Sequence, residues 1–404
     1  MGISIYKLTD RQILSLCVLA LLLLGVLMVE SASAGVSNHL GWNWTPFATR
    51  HLIFAAVAFL TFLLVGAVDY SWLGRIPKHM LFSPVLWMLF IATAACGAVL
   101  VPHIGISENG ARRWLPLGPL QVQPSELAKW AIVMFLAFWL SHRPLPLEKF
   151  FTGFIPTLIP IGLICLLIVI QDFGTAALIA LCSMTMLLAG RVRTRHLLLV
   201  IPPVLAAAAW FLMHKEYRWR RVTAFLDPYA APQKEGYHMI QSLLSFATGG
   251  VSGRGLGNGI QKLGYLPEDT TDFIFAVICE ELGLFGAIFT IALYLGILLI
   301  AWQSIRNRRD EFGRMLAFGI ASMVTLQAII NIAVATVSVP TKGLSLPLVS
   351  AGGSGLVITC AALGLLLSIA RPPKPDPVEA PPAASPDPVP QGDPLPMPLN
   401  PSPV

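Results

Sequence analysis

The chain has 404 residues, of which 55% are hydrophobic and only 12% are charged, and its mean hydropathy is +0.72. Soluble domains carry roughly 25% charged residues, so this composition excludes a soluble protein and indicates an integral membrane protein. The net charge of +6 does not indicate a nucleic-acid partner, because the sequence contains no soluble basic domain to hold one. All six cysteines lie in apolar segments without CxxC or metal-ligand spacing, which disfavours structural disulfides and a zinc site.

Ten apolar segments have about the 17–25 residues that a bilayer-spanning helix needs. Two of them are separated only by Asp172, Phe173 and Gly174, which predicts a tight hairpin with Asp172 as the N-cap of the following helix. The segments lie near 12–34, 51–69, 79–101, 124–141, 153–170, 174–190, 195–213, 272–302, 315–339 and 350–371.

Lysine and arginine are concentrated in the short loops on one side of these segments, and such loops face the cytoplasm. The fold class is therefore predicted to be an all-α polytopic membrane protein with about ten transmembrane helices, both termini cytoplasmic, and one large extracytoplasmic loop at 214–271. Residues 1–371 form the membrane domain, and the proline-rich segment 372–404 is predicted to be a disordered cytoplasmic tail. The cations assigned to the outer loops indicate an anionic partner: Arg112, Arg113, Arg218, Arg220, Arg221, Arg254, Lys262 and Lys342.

The large loop contains a short predicted helix, Tyr237 to Ala247, with an apolar face suited to a membrane interface. Six glycines follow between Gly249 and Gly259, but they lack the Walker spacing and no βαβ unit surrounds them. Two interpretations stay open for this glycine run: a flexible loop that folds over a substrate, or ordinary turn chemistry.

Three carboxylates lie on one predicted helix, with Asp272 at its N-terminal end and Glu280 and Glu281 further along. A carboxylate in a hydrocarbon environment costs several kcal/mol unless it is paired or lines a wet cavity. The alternatives are a functional site, or an interfacial aspartate followed by two buried carboxylates that neighbouring helices satisfy.

Lys129 has two possible partners. It lies three residues after Glu126 on one helix, a spacing at which the two side chains can pair with each other. Alternatively it pairs with Asp272, and such a pair would hold that carboxylate ionised and ready to take a proton. In the loop before the last span, Lys342 and the amides at the next helix start could receive a phosphate, or the loop could be an ordinary Pro/Gly connection.

Four long motifs, in this order, resemble the SEDS family (shape, elongation, division and sporulation), whose members include FtsW and RodA. The resemblance spans roughly residues 10–371, and within the family QKLGYLPE and PTKG are closer to the division-type FtsW pattern. The motifs are GARRWLPLGPLQVQPSELAK, RRVTAFLDPYAAPQKEGYHMIQSLLSFATGG, GLGNGIQKLGYLPEDTTDFIFAVICEELG and PTKGLSLPLVSAGGSG.

The resemblance implies a peptidoglycan glycosyltransferase that polymerises lipid II into β-1,4 glycan strands by inversion, at the outer face of the bacterial inner membrane. It implies a class B penicillin-binding transpeptidase and other division or elongation proteins as partners. It makes Asp272 and Lys129 the expected catalytic residues, with Glu280 and Glu281 structural. No resident metal is expected, although a divalent cation could assist at the pyrophosphate. The expected substrate-binding residues are Arg112, Arg113, Trp114, Glu126, Arg221, Lys342 and Ser350.

The sequence departs from the family pattern at three places. Asp269 and Thr270 stand where the pattern has alanine and histidine, Ala351 stands where it has tyrosine, and IQDFGT lacks the proline of QPDFGT. Two other classes of function stay open. The first is a lipid II flippase or transporter with a proton path through Glu280 and Glu281. The second is a non-catalytic scaffold that recruits the transpeptidase.

Overall fold

The computed structural model describes residues 8–37, 45–76, 82–108, 111–118, 120–142, 144–214, 216–234, 236–262, 266, 270–341 and 343–371. The predicted proline-rich tail, 372–404, lies outside these residues, so its disorder stays a prediction.

Within the described residues each predicted span corresponds to an α-helix, and three short α-helices lie in the connections. In chain order they are α1 (Asp10–Ser37), α2 (Pro46–Ala67), α3 (Ser71–Gly74), α4 (Pro84–Leu100), α5 (Pro124–His142), α6 (Ile155–Val169), α7 (Phe173–Ala189), α8 (Thr194–Met213), α9 (Glu216–Leu226), α10 (Tyr237–Gly249), α11 (Ile274–Asn307), α12 (Glu311–Ala335) and α13 (Ser354–Ile369). In the described chain six helices are long and apolar enough to cross a membrane, and α4, α7 and α13 are shorter apolar helices. The polytopic helical fold is confirmed, while the count of ten spans and the location of the termini stay predictions.

Helices α5 and α12 form the centre of the bundle. They pack against each other, and α7 and α13 also contact both of them. Most of α5 is buried, including Trp130 and Phe138, and α12 buries residues from Phe312 to Ala335. Polar side chains on these two helices must find partners inside the protein, because neither water nor lipid can satisfy them there.

The connection between α4 and α5 is an antiparallel sheet, which the all-helical prediction did not include. Its strands are β1 (Ile106–Glu108), β2 (Ala111–Leu117) and β3 (Leu120–Val122), in the order β1-β2-β3. Gly118 has φ +65° in the turn between β2 and β3, a conformation that tight hairpin turns require. We call the end of the bundle that carries this sheet the sheet end; β3 leads directly into α5 there.

Helix α11 was predicted as one continuous span, but it is interrupted at Gly283 (φ 65°, ψ −157°). Leu284 beyond the interruption donates its amide to Gly250 and Val251, both at 3.1 Å. A Cβ added to Gly283 would lie 2.3 Å from the Gly253 nitrogen, so two glycine backbones meet where no side chain fits. This close packing favours the turn interpretation of the glycine run over the flexible one.

Helix α10 matches the short helix predicted in the large loop. Its small polar face, Ser242 and Ser245, is fully buried, and the Ser242 hydroxyl donates to Ala335 O at 2.6 Å. Leu243 and Leu244 on the predicted apolar face are 37% and 43% exposed. The exposed apolar face is the one expected to meet a membrane interface.

Candidate active site

The N-termini of α5, α11 and α13 meet at the sheet end of the bundle. The Gln123 amide, just before α5, donates to Ser354 Oγ at the start of α13 at 3.3 Å. The Ser350 hydroxyl, which precedes α13, donates to Thr271 O at 2.5 Å and accepts from the Leu346 amide at 2.7 Å. Since helix N-termini carry unpaired amides and a positive dipole end, their convergence favours an anionic ligand.

Asp272 lies two residues before α11 and is partly exposed. Its backbone carbonyl accepts from Asn331 Nδ2 at 2.8 Å, and that same nitrogen donates to Leu344 O at 2.7 Å. The neighbouring chain at Gly343 has no side chain: a Cβ added there would lie 3.0 Å from Asp272 Oδ2. The carboxylate therefore lies beside the exposed backbone of Gly343.

Lys129 is fully buried, and its ammonium contacts Glu126 Oε2 at 2.9 Å and Gln327 Oε1 at 2.8 Å. Of the two predicted alternatives, the pair with Glu126 within α5 forms. The reason is geometric: side chains three residues apart lie on the same face of a helix. The link to the aspartate is indirect, because Gln327 and Asn331 are four residues apart on α12.

Glu126 is also held in place by α13. Its side chain is 13% exposed, and a Cβ added to Gly355 would lie 3.2 Å from its Oε2. The carboxylate thus lies between the Lys129 ammonium and the N-terminal turn of α13, two positive partners that stabilise its negative charge. Glu126 therefore holds the Lys129 ammonium in place, and its carboxylate does not face an open groove.

Arg112 and Arg113, the two β2 arginines that were expected to bind the substrate, contact the turn between α6 and α7. The Arg112 amide donates to Gln171 Oε1 at 3.0 Å, and the Arg113 guanidinium donates to Gln171 O at 3.1 and 2.9 Å. Asp172 accepts from the Thr175 amide at 3.1 Å, so the predicted hairpin and its cap are confirmed. A pocket at this turn is lined by both arginines, the first residues of α5, and Gln171 and Asp172.

The remaining expected residues are not all brought together. Trp114 is paired with Ile106 in the sheet. Arg221 lies on α9, whose neighbours are α8 and the 3₁₀ helix Pro228–Ala230. Lys342 lies outside the described residues.

The two glutamates of α11 bind the glycine loop. Glu281 accepts from the Ser31 hydroxyl at 2.7 Å, from Lys262 Nζ at 2.8 Å and from the Gly257 amide at 3.0 Å. Glu280 accepts from the Ile260 amide at 2.8 Å. Lys262 was counted among the outer-loop cations that indicate an anionic partner, but it is only 3% exposed and pairs with the buried Glu281 carboxylate.

Three residues next to the site were missed by the sequence analysis. Gln327 and Asn331 are buried amides on α12, and the only signal for them was polarity in an apolar segment. His238 stacks on Phe273, with ring centroids 6.0 Å apart and planes at 11°, so α10 reaches the residue that follows Asp272.

This fold and site define a polytopic membrane protein with a charged centre at one end of its helical bundle. Residues 11–374 match the family model described as Cell cycle protein, which covers FtsW, RodA and SpoVE, and the chain belongs to this family.

A relative from Geobacter sulfurreducens, named as a probable peptidoglycan glycosyltransferase FtsW, is 36% identical over 359 residues, or 88% of this chain and 94% of that protein. Among solved structures, one reported as a peptidoglycan synthase complex that coordinates polymerization and crosslinking matches with a TM-score of 0.71 and 28% identity. That match covers 88% of this chain and 96% of the other. The rod-shape-determining protein RodA of Thermus thermophilus matches with a TM-score of 0.62 and 26% identity, over 88% of this chain and 95% of the other.

Proposed function

We propose that this chain is a peptidoglycan glycosyltransferase that polymerises lipid II during cell division. The family match and the name of the Geobacter sulfurreducens relative support the activity and the division role. The observation that carries the proposal is the partly exposed Asp272 carboxylate beside bare backbone at Gly343, next to converging helix N-termini. A base and a positive field lie together there, and transfer of a sugar from a pyrophosphate needs both.

The reaction is a single displacement. The 4-hydroxyl of the acceptor GlcNAc attacks the anomeric carbon of the donor while the bond to the undecaprenyl pyrophosphate breaks, so an α-linked donor gives a β-1,4 product. Asp272 takes the hydroxyl proton as general base, a role that typically contributes about 10²–10⁴-fold to the rate.

The departing pyrophosphate carries the charge that must be stabilised. The helix N-termini at α5 and α13 supply a positive field, and Arg112 and Arg113 lie beside the start of α5. Lys129 is paired with Glu126, so its proposed role is to hold that carboxylate and Gln327 in place beneath the site rather than to add net positive charge. A divalent cation would take its ligands mainly from the phosphate oxygens, because no cluster of three His, Cys, Asp or Glu side chains exists in the described part of the chain.

The site faces the periplasmic side of the bacterial inner membrane in this proposal, as the loop charges predict. A class B penicillin-binding transpeptidase is the proposed partner, since it would crosslink the glycan that this chain makes. The similarity to a complex reported to coordinate polymerization and crosslinking supports such a pairing.

The test is lipid II turnover by purified, monodisperse protein with its transpeptidase partner present. Asp272→Asn keeps the shape of the side chain but cannot take the proton, so turnover should fall by about 10²–10⁴-fold. Asp227→Asn is the matched control, because it makes the same change at an exposed aspartate that caps the short helix after α9. Turnover of Asp272→Asn within a few-fold of the wild type would remove Asp272 from the mechanism.

The same assay separates the two other functions that the sequence left open. A flippase or a scaffold would give no glycan polymer from lipid II even in the wild-type protein. The flippase hypothesis relied on Glu280 and Glu281 as a proton path, yet both carboxylates are occupied by donors from the glycine loop.

A further inference from the structure

We infer that Gln327 and Asn331 are positioning residues of the transferase centre, which fix Asp272 and the loop 343–351 in place relative to Lys129. The inference rests on the proposed function, because it names residues that serve the same reaction. Neither amide is placed to touch the substrate: Asn331 is fully buried and Gln327 is 5% exposed.

Asn331 joins the aspartate to the loop. Its Nδ2 carries two hydrogens, and each has one carbonyl acceptor, Asp272 O at 2.8 Å and Leu344 O at 2.7 Å. Both acceptors are carbonyl oxygens, so only the NH₂ group can face them and the orientation of the amide is determined. A single side chain therefore holds the backbone of the proposed base against the residue after Gly343.

Gln327 makes the corresponding link to α5. Its Oε1 accepts from Lys129 Nζ at 2.8 Å, and its Nε2 donates to Ser345 O at 2.9 Å. An ammonium can only donate and a carbonyl can only accept, so this amide orientation is determined as well. Because the two amides hold consecutive residues of the loop, Leu344 and Ser345, one face of α12 sets the position of Lys129, the loop and Asp272 together.

The cost of burying these amides supports a positioning role. Burying an amide costs free energy wherever one of its polar atoms lacks a partner, as Asn331 Oδ1 does among the described residues, whereas apolar residues on α12 such as Val324 and Ala328 carry no such cost. All five hydrogen bonds that the two amides make end on Lys129, on Asp272 or on the loop residues Leu344 and Ser345. A misplacement of about 1 Å can cost about 100-fold in rate. Amides that hold the proposed base at a fixed position can therefore serve catalysis without touching the substrate.

The experiment measures kcat and KM for lipid II in the full chain with its transpeptidase partner. Asn331→Leu removes both bonds to the aspartate and the loop, so kcat should fall by about 30-fold or more while KM changes by less than about threefold. Gln327→Glu keeps an acceptor for Lys129 but cannot donate to Ser345 O. Its kcat should therefore fall less than that of Gln327→Met, which loses both contacts. Thr290→Val is the control for losing a buried polar group, because that hydroxyl bonds only within α11.

We expect a low kcat for Asn331→Leu and a wild-type kcat for Thr290→Val. We also expect the kcat of Gln327→Glu to be higher than that of Gln327→Met. An Asn331→Leu protein that retains wild-type kcat while Asp272→Asn is inactive would overturn this inference and leave the proposed function intact. An active Asp272→Asn protein would instead overturn the proposed function. If Asn331→Leu does not yield monodisperse protein, the two Gln327 variants decide: equal kcat values would refute the positioning role.

Discussion

The buried ion pair between Lys262 and Glu281 allows a quantitative prediction about the glycine loop. The Lys262 side chain is 4% exposed and that of Glu281 is fully buried, and their charged atoms are 2.8 Å apart. Lys262→Met keeps much of the side-chain volume but leaves the carboxylate with only the Ser31 hydroxyl and the Gly257 amide as donors. Removing one partner of a buried pair typically costs about 3–5 kcal/mol, and we expect the lower end because two donors remain.

The measurement is thermal unfolding of the detergent-purified protein, compared with two further variants. Lys262→Met/Glu281→Gln should be more stable than Lys262→Met alone, because the uncompensated charge has been removed. Arg220→Met breaks an exposed pair, with side chains 53% and 79% exposed, and should change the melting temperature much less. A melting temperature for Lys262→Met equal to that of Arg220→Met would refute the view that this pair holds the loop against α11.

Two further predictions concern the hairpin and the orientation. Asp172→Ala removes the cap of α7 and should lower the free energy of unfolding by about 1 kcal/mol, measured by denaturant or thermal unfolding; an unchanged value would contradict the capping role. Gln233→Cys introduces a thiol at an exposed position of the large loop, and it should react with a membrane-impermeant reagent in intact cells; labelling only after lysis would reverse the proposed orientation.

The helices could be predicted from the sequence because the signals for them are local. An apolar segment long enough to span a bilayer must form a helix, since every backbone group needs a partner within its own segment. The cap of α7 could also be predicted from a local signal, because Asp172 and Thr175 are only three residues apart. The break at Gly283 was missed because its cause is not local: the Gly253 backbone packs against it from another segment.

Several partners of the charged residues could not be predicted, because they lie far away in the sequence. Lys129 and Gln327 are 198 positions apart, and Asp272 and Asn331 are 59 apart. The sequence showed that Lys129 and Asp272 needed polar partners inside the bundle, but it could not show that α12 supplies them. The partners of Lys262 could not be predicted for the same reason, because Ser31 of α1 is 231 positions away from it.

The two departures from the SEDS pattern nearest to Asp272 meet in the fold. Thr270 and Ala351, which stand where the pattern has histidine and tyrosine, are joined by a hydrogen bond from the Ala351 amide to Thr270 O at 2.8 Å. That bond uses only backbone atoms, so neither replaced side chain takes part in it, and the Ser350 hydroxyl makes the neighbouring bond to Thr271 O. These two contacts beside Asp272 therefore do not use the replaced side chains. Both replacements put a smaller side chain into one of these two joined segments, so we expect any effect on catalysis to come from the lost side chains.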